Sequence, residues 1–152
     1  MIVLAVAIAI TILVVINMRD AIQPFAPAKP IVMKLSRSGS SCPNYSITLT
    51  GDGHLIYNGR ERTVVAGIRE SDIDVWTTSA LINDFIQSGF FELENTYPSP
   101  GSDKMVVTLT IEMNGASKSV YSEDRYGPLL IQEMERRMDD LPGMRAMTGW
   151  IH

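Results

Sequence analysis

Two runs of strict alternation, each closed by a glycine turn, constrain this chain more than any other feature. Tyr45, Ile47 and Leu49 alternate with Ser46, Thr48 and Thr50, and Gly51-Asp52-Gly53 follows at once. A period of two is that of a strand with one dry face and one wet face. The glycines accept positive φ, so the chain can reverse and His54 to Tyr57 can run back. Further on, Met105, Val107, Leu109, Ile111 and Met113 alternate with Val106, Thr108, Thr110 and Glu112. Asn114-Gly115 then gives the strongest short hairpin signal in the chain, and Ala116 to Ser122 returns. Two such hairpins call for antiparallel pairing with one face of the sheet covered.

The remaining elements are read around these hairpins. Ile31 to Arg37 is expected as a first strand, with Ile31, Met33 and Leu35 on one side, and Ser36 to Ser41 as a polar loop. That loop lacks the glycine spacing and the Lys-Ser/Thr ending of a phosphate cradle. Pro43 has no N–H for a ladder and suits the start of a strand. Asn58-Gly59 reads as a second turn, and Arg60 to Arg69 as a further strand with a bulge at Gly67.

Ser71 is expected to cap a helix with Asp72 and Asp74 at its positive end. Ile73, Trp76, Ala80, Leu81 and Phe85 would share its buried face, Gly89 would end it in a left-handed cap, and Phe90, Phe91 and Leu93 would return to the core. Glu94 to Lys104 reads as a loop. Tyr126-Gly127-Pro128 leads into a second helix with Ile131, Met134, Met138 and Leu141 on one stripe. Glu133, Glu135, Arg136, Arg137 and Asp140 are expected on its solvated remainder; Pro142-Gly143 stops it, and Trp150-Ile151 pins the end of the chain. The expected fold is α+β: an antiparallel sheet of about six strands, two helices on one face, and an N-terminal hydrophobic helix.

That last helix rests on Met1 to Ile16, apolar apart from Thr11. With Asn17 and Met18 it nears the lower limit of a membrane span, about 17 residues. Residues 1–18 are therefore expected to be a transmembrane anchor reaching into a lipid bilayer; the alternatives are a removed signal peptide, although no Lys or Arg precedes the run, and a helix of the core, although the run has no polar stripe. Pro24, Pro27 and Pro30 mark residues 19–30 as an extended linker, leaving 31–152 as a single domain. Arg19 and Lys29 would draw the domain to the cytoplasmic side.

Charge excludes one class of partner. Setting aside Arg19, Lys29 and Asp20 leaves 11 basic against 16 acidic residues from Ile31 onward. A mildly acidic domain without a basic cluster is a poor match for nucleic acid. The only cysteine is Cys42, read as a buried small hydrophobe. The two histidines, His54 beside a turn and His152 at the end, sit in no catalytic motif. A Cys42–His54 dyad is the sharper reading of the hairpin. Zinc would need more ligands than those two residues. Asp103, Glu123 and Asp124 could gather oxygens for calcium, but they lack an EF-hand loop and read as ordinary loop carboxylates. No cofactor and no catalytic set is expected. The residues nominated for binding are Arg37, Cys42, Tyr45 and Asp103.

Cys42-Pro43-x-Tyr45, the Gly51-Asp52-Gly53 turn, Tyr57-x-Gly59, Ser88-Gly89-Phe90-Phe91-Glu92-Leu93 and Tyr97 together resemble an uncharacterised bacterial family, domain of unknown function 6438. The likeness spans Ile31 to Ile151. Members usually carry a second cysteine four residues before the first, where this chain has Ser38. The resemblance implies a shared fold and an extracytoplasmic habit, and no activity. It places the domain on the outer side, against the weak charge bias. The function expected is a membrane-tethered, non-catalytic binding module, with another envelope protein as its partner. The alternatives are a thiol-dependent or hydrolytic enzyme using Cys42 and a self-associating envelope component.

Overall fold

A computed structural model describes residues 30–101 and 104–149. The expected N-terminal helix, Asp103, Trp150-Ile151 and His152 lie outside the described residues. The strands are β1 (Val32–Ser38), β2 (Tyr45–Thr50), β3 (His54–Gly59), β4 (Gly67–Asp72), β5 (Thr96–Tyr97), β6 (Val106–Met113) and β7 (Ala116–Glu123). The helices are α1 (Val75–Gln87), α2 (Leu129–Asp139) and the short α3 (Met144–Thr148), with a 3-10 turn at Phe90–Glu92. Among the described residues one sheet of seven strands forms in the order β4-β3-β2-β1-β6-β7-β5. β5 pairs parallel to β7, so the sheet is mixed rather than wholly antiparallel, and it has seven strands rather than six.

Alternation sets the register. Met33, Leu35 and Arg37 of β1 stand opposite Leu49, Ile47 and Tyr45 of β2 and opposite Ile111, Leu109 and Val107 of β6. All of these side chains point to the same face and are buried. Leu81, Ile82 and Phe85 of α1 and Ile131, Met134 and Met138 of α2 close over that face in one continuous core. Burying each such aliphatic or aromatic side chain is worth about 1.5–3 kcal/mol. The two main helices therefore pack on one side, as the sequence predicts.

Several local expectations are corrected. Asn58 and Gly59 do not turn; they continue β3, paired with Ser46 and Tyr45. The chain reverses over residues 60–66 instead, and β4 starts at Gly67, whose φ of 83° opens the strand. Ser71 and Asp72 belong to β4, and the α1 cap is Asp74, which accepts from the Thr77 N–H at 3.0 Å. Trp76 is not core: it is 84% exposed. Phe90 is fully buried, whereas Phe91 sits at the surface. Glu135, placed by its charge among solvated residues, is only 1% exposed. Gly89 does adopt the left-handed conformation after α1, with φ 91°. Asn114 and Gly115 both take positive φ, 54° and 82°, as a two-residue hairpin turn of the mirror-image type requires.

Candidate functional site

Two polar features stand out among the described residues: a sealed cluster under α2 and the uncovered face of the sheet. The cluster begins with Arg37, which the inward phase of β1 places beneath the helix. Its Nε–H donates to the Tyr45 hydroxyl at 3.0 Å, and its Nη2 donates to Asp139 Oδ2 at 2.7 Å. The Tyr45 hydroxyl in turn donates to Asp139 Oδ1 through a short hydrogen bond. A third contact runs from Nη1 to the Met105 sulfur at 3.3 Å. The guanidinium also lies over the Tyr45 ring, 5.6 Å from its centroid. Three elements (β1, β2 and α2) are thereby joined through one buried cation.

Glu135 stands apart within this cluster. Its Oε2 is 3.5 Å from Arg37 Nη2, and neither of its oxygens has a hydrogen-bond partner among the described residues. Burial pushes its carboxyl up to about 7; Arg37 and Arg125 pull it down, and Asp139 raises it. Tyr45 is pushed well above the ordinary phenol range, first by burial and then by the Asp139 charge and hydrogen bond, with Arg37 opposing. A phenol held neutral in this way does not serve as a base or nucleophile at neutral pH. Arg37, Tyr45 and Asp139 are fully buried, so a solute meets them only if α2 moves.

Of the residues nominated for binding, Arg37 and Tyr45 are thus brought into direct contact. Cys42 lies in the loop before β2, 4% exposed, where a Cβ placed on Gly39 would come within 3.0 Å of its sulfur. Asp103 is outside the described residues. The Cys42–His54 dyad does not form. Tyr45 pairs with Gly59, so Cys42 is at one end of the hairpin and His54 at the other, about 17 Å away along β3. His54 instead lies between Asp72, 3.1 Å from Nδ1, and Glu70, 3.4 Å from Nε2, on the edge pair β3–β4. Glu123 and Asp124 are held by their own neighbours: Glu123 accepts from Lys104, the Ser99 N–H and Tyr121, and Asp124 from the Ser99 hydroxyl and the Met105 N–H. These bonds hold both carboxyls below their usual range, the Lys104 bond foremost at Glu123 and the Ser99 hydroxyl bond foremost at Asp124.

Asp139 and Glu135 were missed by sequence reasoning, yet a signal for them exists. They follow Ile131 at steps of four, so they run beside Met134 and Met138 along the buried stripe. Helical phase placed them inside, while their charge argued for outside.

The uncovered face is built from the other phase of the same strands. Ile68, Asn58, Ser46, Ser36, Thr108 and Tyr121 form one row across β4, β3, β2, β1, β6 and β7. Small hydroxyl side chains occupy its middle, and larger side chains stand at both ends. The neighbouring row carries Thr48, Lys34 and Thr110, and there the Lys34 ammonium is spent on Glu112 at 2.6 Å. No described helix covers this face.

Residues 31–142 match the family described as "Domain of unknown function (DUF6438)". That match spans most of the chain, and the chain belongs to this family. No curated protein matches it.

Proposed function

We propose that this member of the domain of unknown function 6438 family is a membrane-tethered, non-catalytic binding module whose uncovered sheet face receives another envelope polypeptide. The observation that carries the reading is the row from Ile68 to Tyr121, a floor of small hydroxyls with larger side chains at both rims. Serine and threonine hydroxyls can donate to or accept from a polypeptide laid across them, and the rim side chains supply apolar contact. The sealed Arg37–Tyr45–Asp139 clamp behind the sheet supports the same reading, because it stiffens the platform from the opposite side. The tether is proposed for Met1 to Met18, with the domain outside the cytoplasm, from the apolar run and the family resemblance.

Site-specific photocrosslinking on the full chain in its native membranes tests the reading. A photoreactive residue at Thr48 or Thr108 is expected to give a discrete adduct, and one at Glu133, on the solvent side of α2, is expected to give none. Equal labelling from all three positions, or none from the sheet face, overturns the proposal. An adduct at twice the chain's own mass assigns the face to self-association instead. Retention in the membrane pellet after alkaline carbonate washing checks the tether, and release of the chain overturns it.

A further inference from the structure

Glu135 poses a problem that the clamp does not solve. One guanidinium faces two buried carboxyl groups, and its geometry is committed to one of them: Arg37 Nη2 is 2.7 Å from Asp139 and 3.5 Å from Glu135. The other cations of α2 are spent toward solvent, Arg136 on Glu133 and Asp140, and Arg137 on Asp84 of α1. Arg145 of α3 is likewise engaged by Asp140. From β2, Tyr45 directs its hydroxyl at Asp139. Among the described residues, Arg125, in the connection before α2, is the one cation besides Arg37 that draws on the Glu135 charge, and Asp139 on its own helix repels it. A carboxylate that is 1% exposed and accepts no hydrogen bond among the described residues is costly to ionise; the neutral acid is much less so.

We propose that Glu135 makes the seating of α2 on the sheet proton-dependent, the neutral acid being accommodated beneath the helix and the carboxylate loosening it as the solution passes neutrality. The sealed cluster is thus a regulatory device beneath the platform, independent of what the uncovered face binds. The direction follows from linkage. The folded chain holds this proton up to about pH 7, whereas the ordinary glutamate value is 4.5. Between those values the folded state binds a proton that the unfolded state has released, so stability falls as pH rises through the window. The contribution is complete below the window and gone above it.

The test compares denaturant unfolding of the full chain and of Glu135→Gln in detergent micelles at pH 5 and pH 8. Glutamine keeps the shape of the neutral acid and cannot ionise. The wild-type folding equilibrium is expected to weaken over this interval by on the order of a hundredfold more than that of the variant. His54 is present in both proteins, so its own titration cancels in the comparison. Parallel pH dependence overturns the proposal. Should the variant fail to fold, carboxyl-carbon NMR of wild-type Glu135 decides: a midpoint near neutrality supports the device, and one in the ordinary glutamate range removes it.

Discussion

Arg37 and Asp139 are 102 residues apart in the chain, and their side chains meet at 2.7 Å with no exposure on either. Their contact joins the central strand to the last turn of α2. A buried pair of this kind adds little over a well-packed apolar pair, but removing one partner strands a charge. Asp139→Ala is therefore expected to cost about 3–5 kcal/mol in denaturant unfolding. Arg37→Met combined with Asp139→Leu is expected to cost less than Asp139→Ala alone. Tyr45→Phe, which removes the hydroxyl bridging the two, should cost about 1.5–3 kcal/mol. A double variant as unstable as the sum of its parts would show that the two residues act independently.

Gly53 and Gly143 separate backbone strain from steric exclusion. Both have positive φ, 94° and 82°, and alanine at either costs about 1 kcal/mol for conformation alone. A Cβ on Gly53 would also collide with the Ile73 carbonyl oxygen, which accepts no relief from a flexible side chain because it is backbone. Among the described residues, a Cβ on Gly143 meets only the Met147 methyl carbon, at 3.8 Å. Gly53→Ala is thus expected to lower the thermal midpoint markedly more than Gly143→Ala. Equal shifts would mean that the β2–β3 turn yields to the added carbon.

How far the fold was legible depended on whether two local signals agreed. In Tyr45 to Thr50 and Val106 to Met113 the period, the propensity and the glycine turns all point the same way, and their burial alternates as read. β4 carried no such agreement. Gly-Ile-Arg-Glu-Ser-Asp is exposed throughout, pairs among the described residues with β3 alone, and owes its extension to backbone bonds at a sheet edge. Two residues of β5 leave no period to read, so the parallel pairing had no sequence trace. At Glu135 helical phase and charge disagreed and the reading by charge put it in solvent, while Asp139 drew no reading at all; both belong to the buried stripe that helical phase marks. Trp76 failed in the opposite sense, for its apolar bulk suggested the core although it is the second residue of α1 and is exposed.

Cys42 is buried in the loop before β2, so its thiol reports opening of that loop rather than intrinsic reactivity. Alkylation of the native protein at neutral pH is expected to run far slower than that of an unfolded control, and to reach the control rate only in denaturant. Labelling at or above the unfolded rate would mark an activated thiol and revive the enzymatic reading.

His54 supplies the last prediction. Its ring is flanked by Asp72 and Glu70, with Asp52 nearby, and the Asp72 hydrogen bond is foremost in raising its proton affinity above the ordinary 6.5. A histidine with a raised folded value stabilises fully below its unfolded value and loses that contribution as pH rises through the folded one. Because β4 is an exposed edge that, among the described residues, pairs with β3 alone, this loss is expected as earlier fraying of β4 as the pH rises through the folded His54 midpoint. Ring-proton NMR should give a His54 midpoint above 6.5, and Asp72→Asn should return it toward that value. Hydrogen exchange at Ile56 and Glu70, which stand opposite each other across the pair, should quicken above the midpoint in wild type beyond its intrinsic pH dependence, and much less so in the variant. A His54 midpoint unmoved by Asp72→Asn would place the cause in Glu70 or Asp52 and remove the Asp72 contact from the account of the edge.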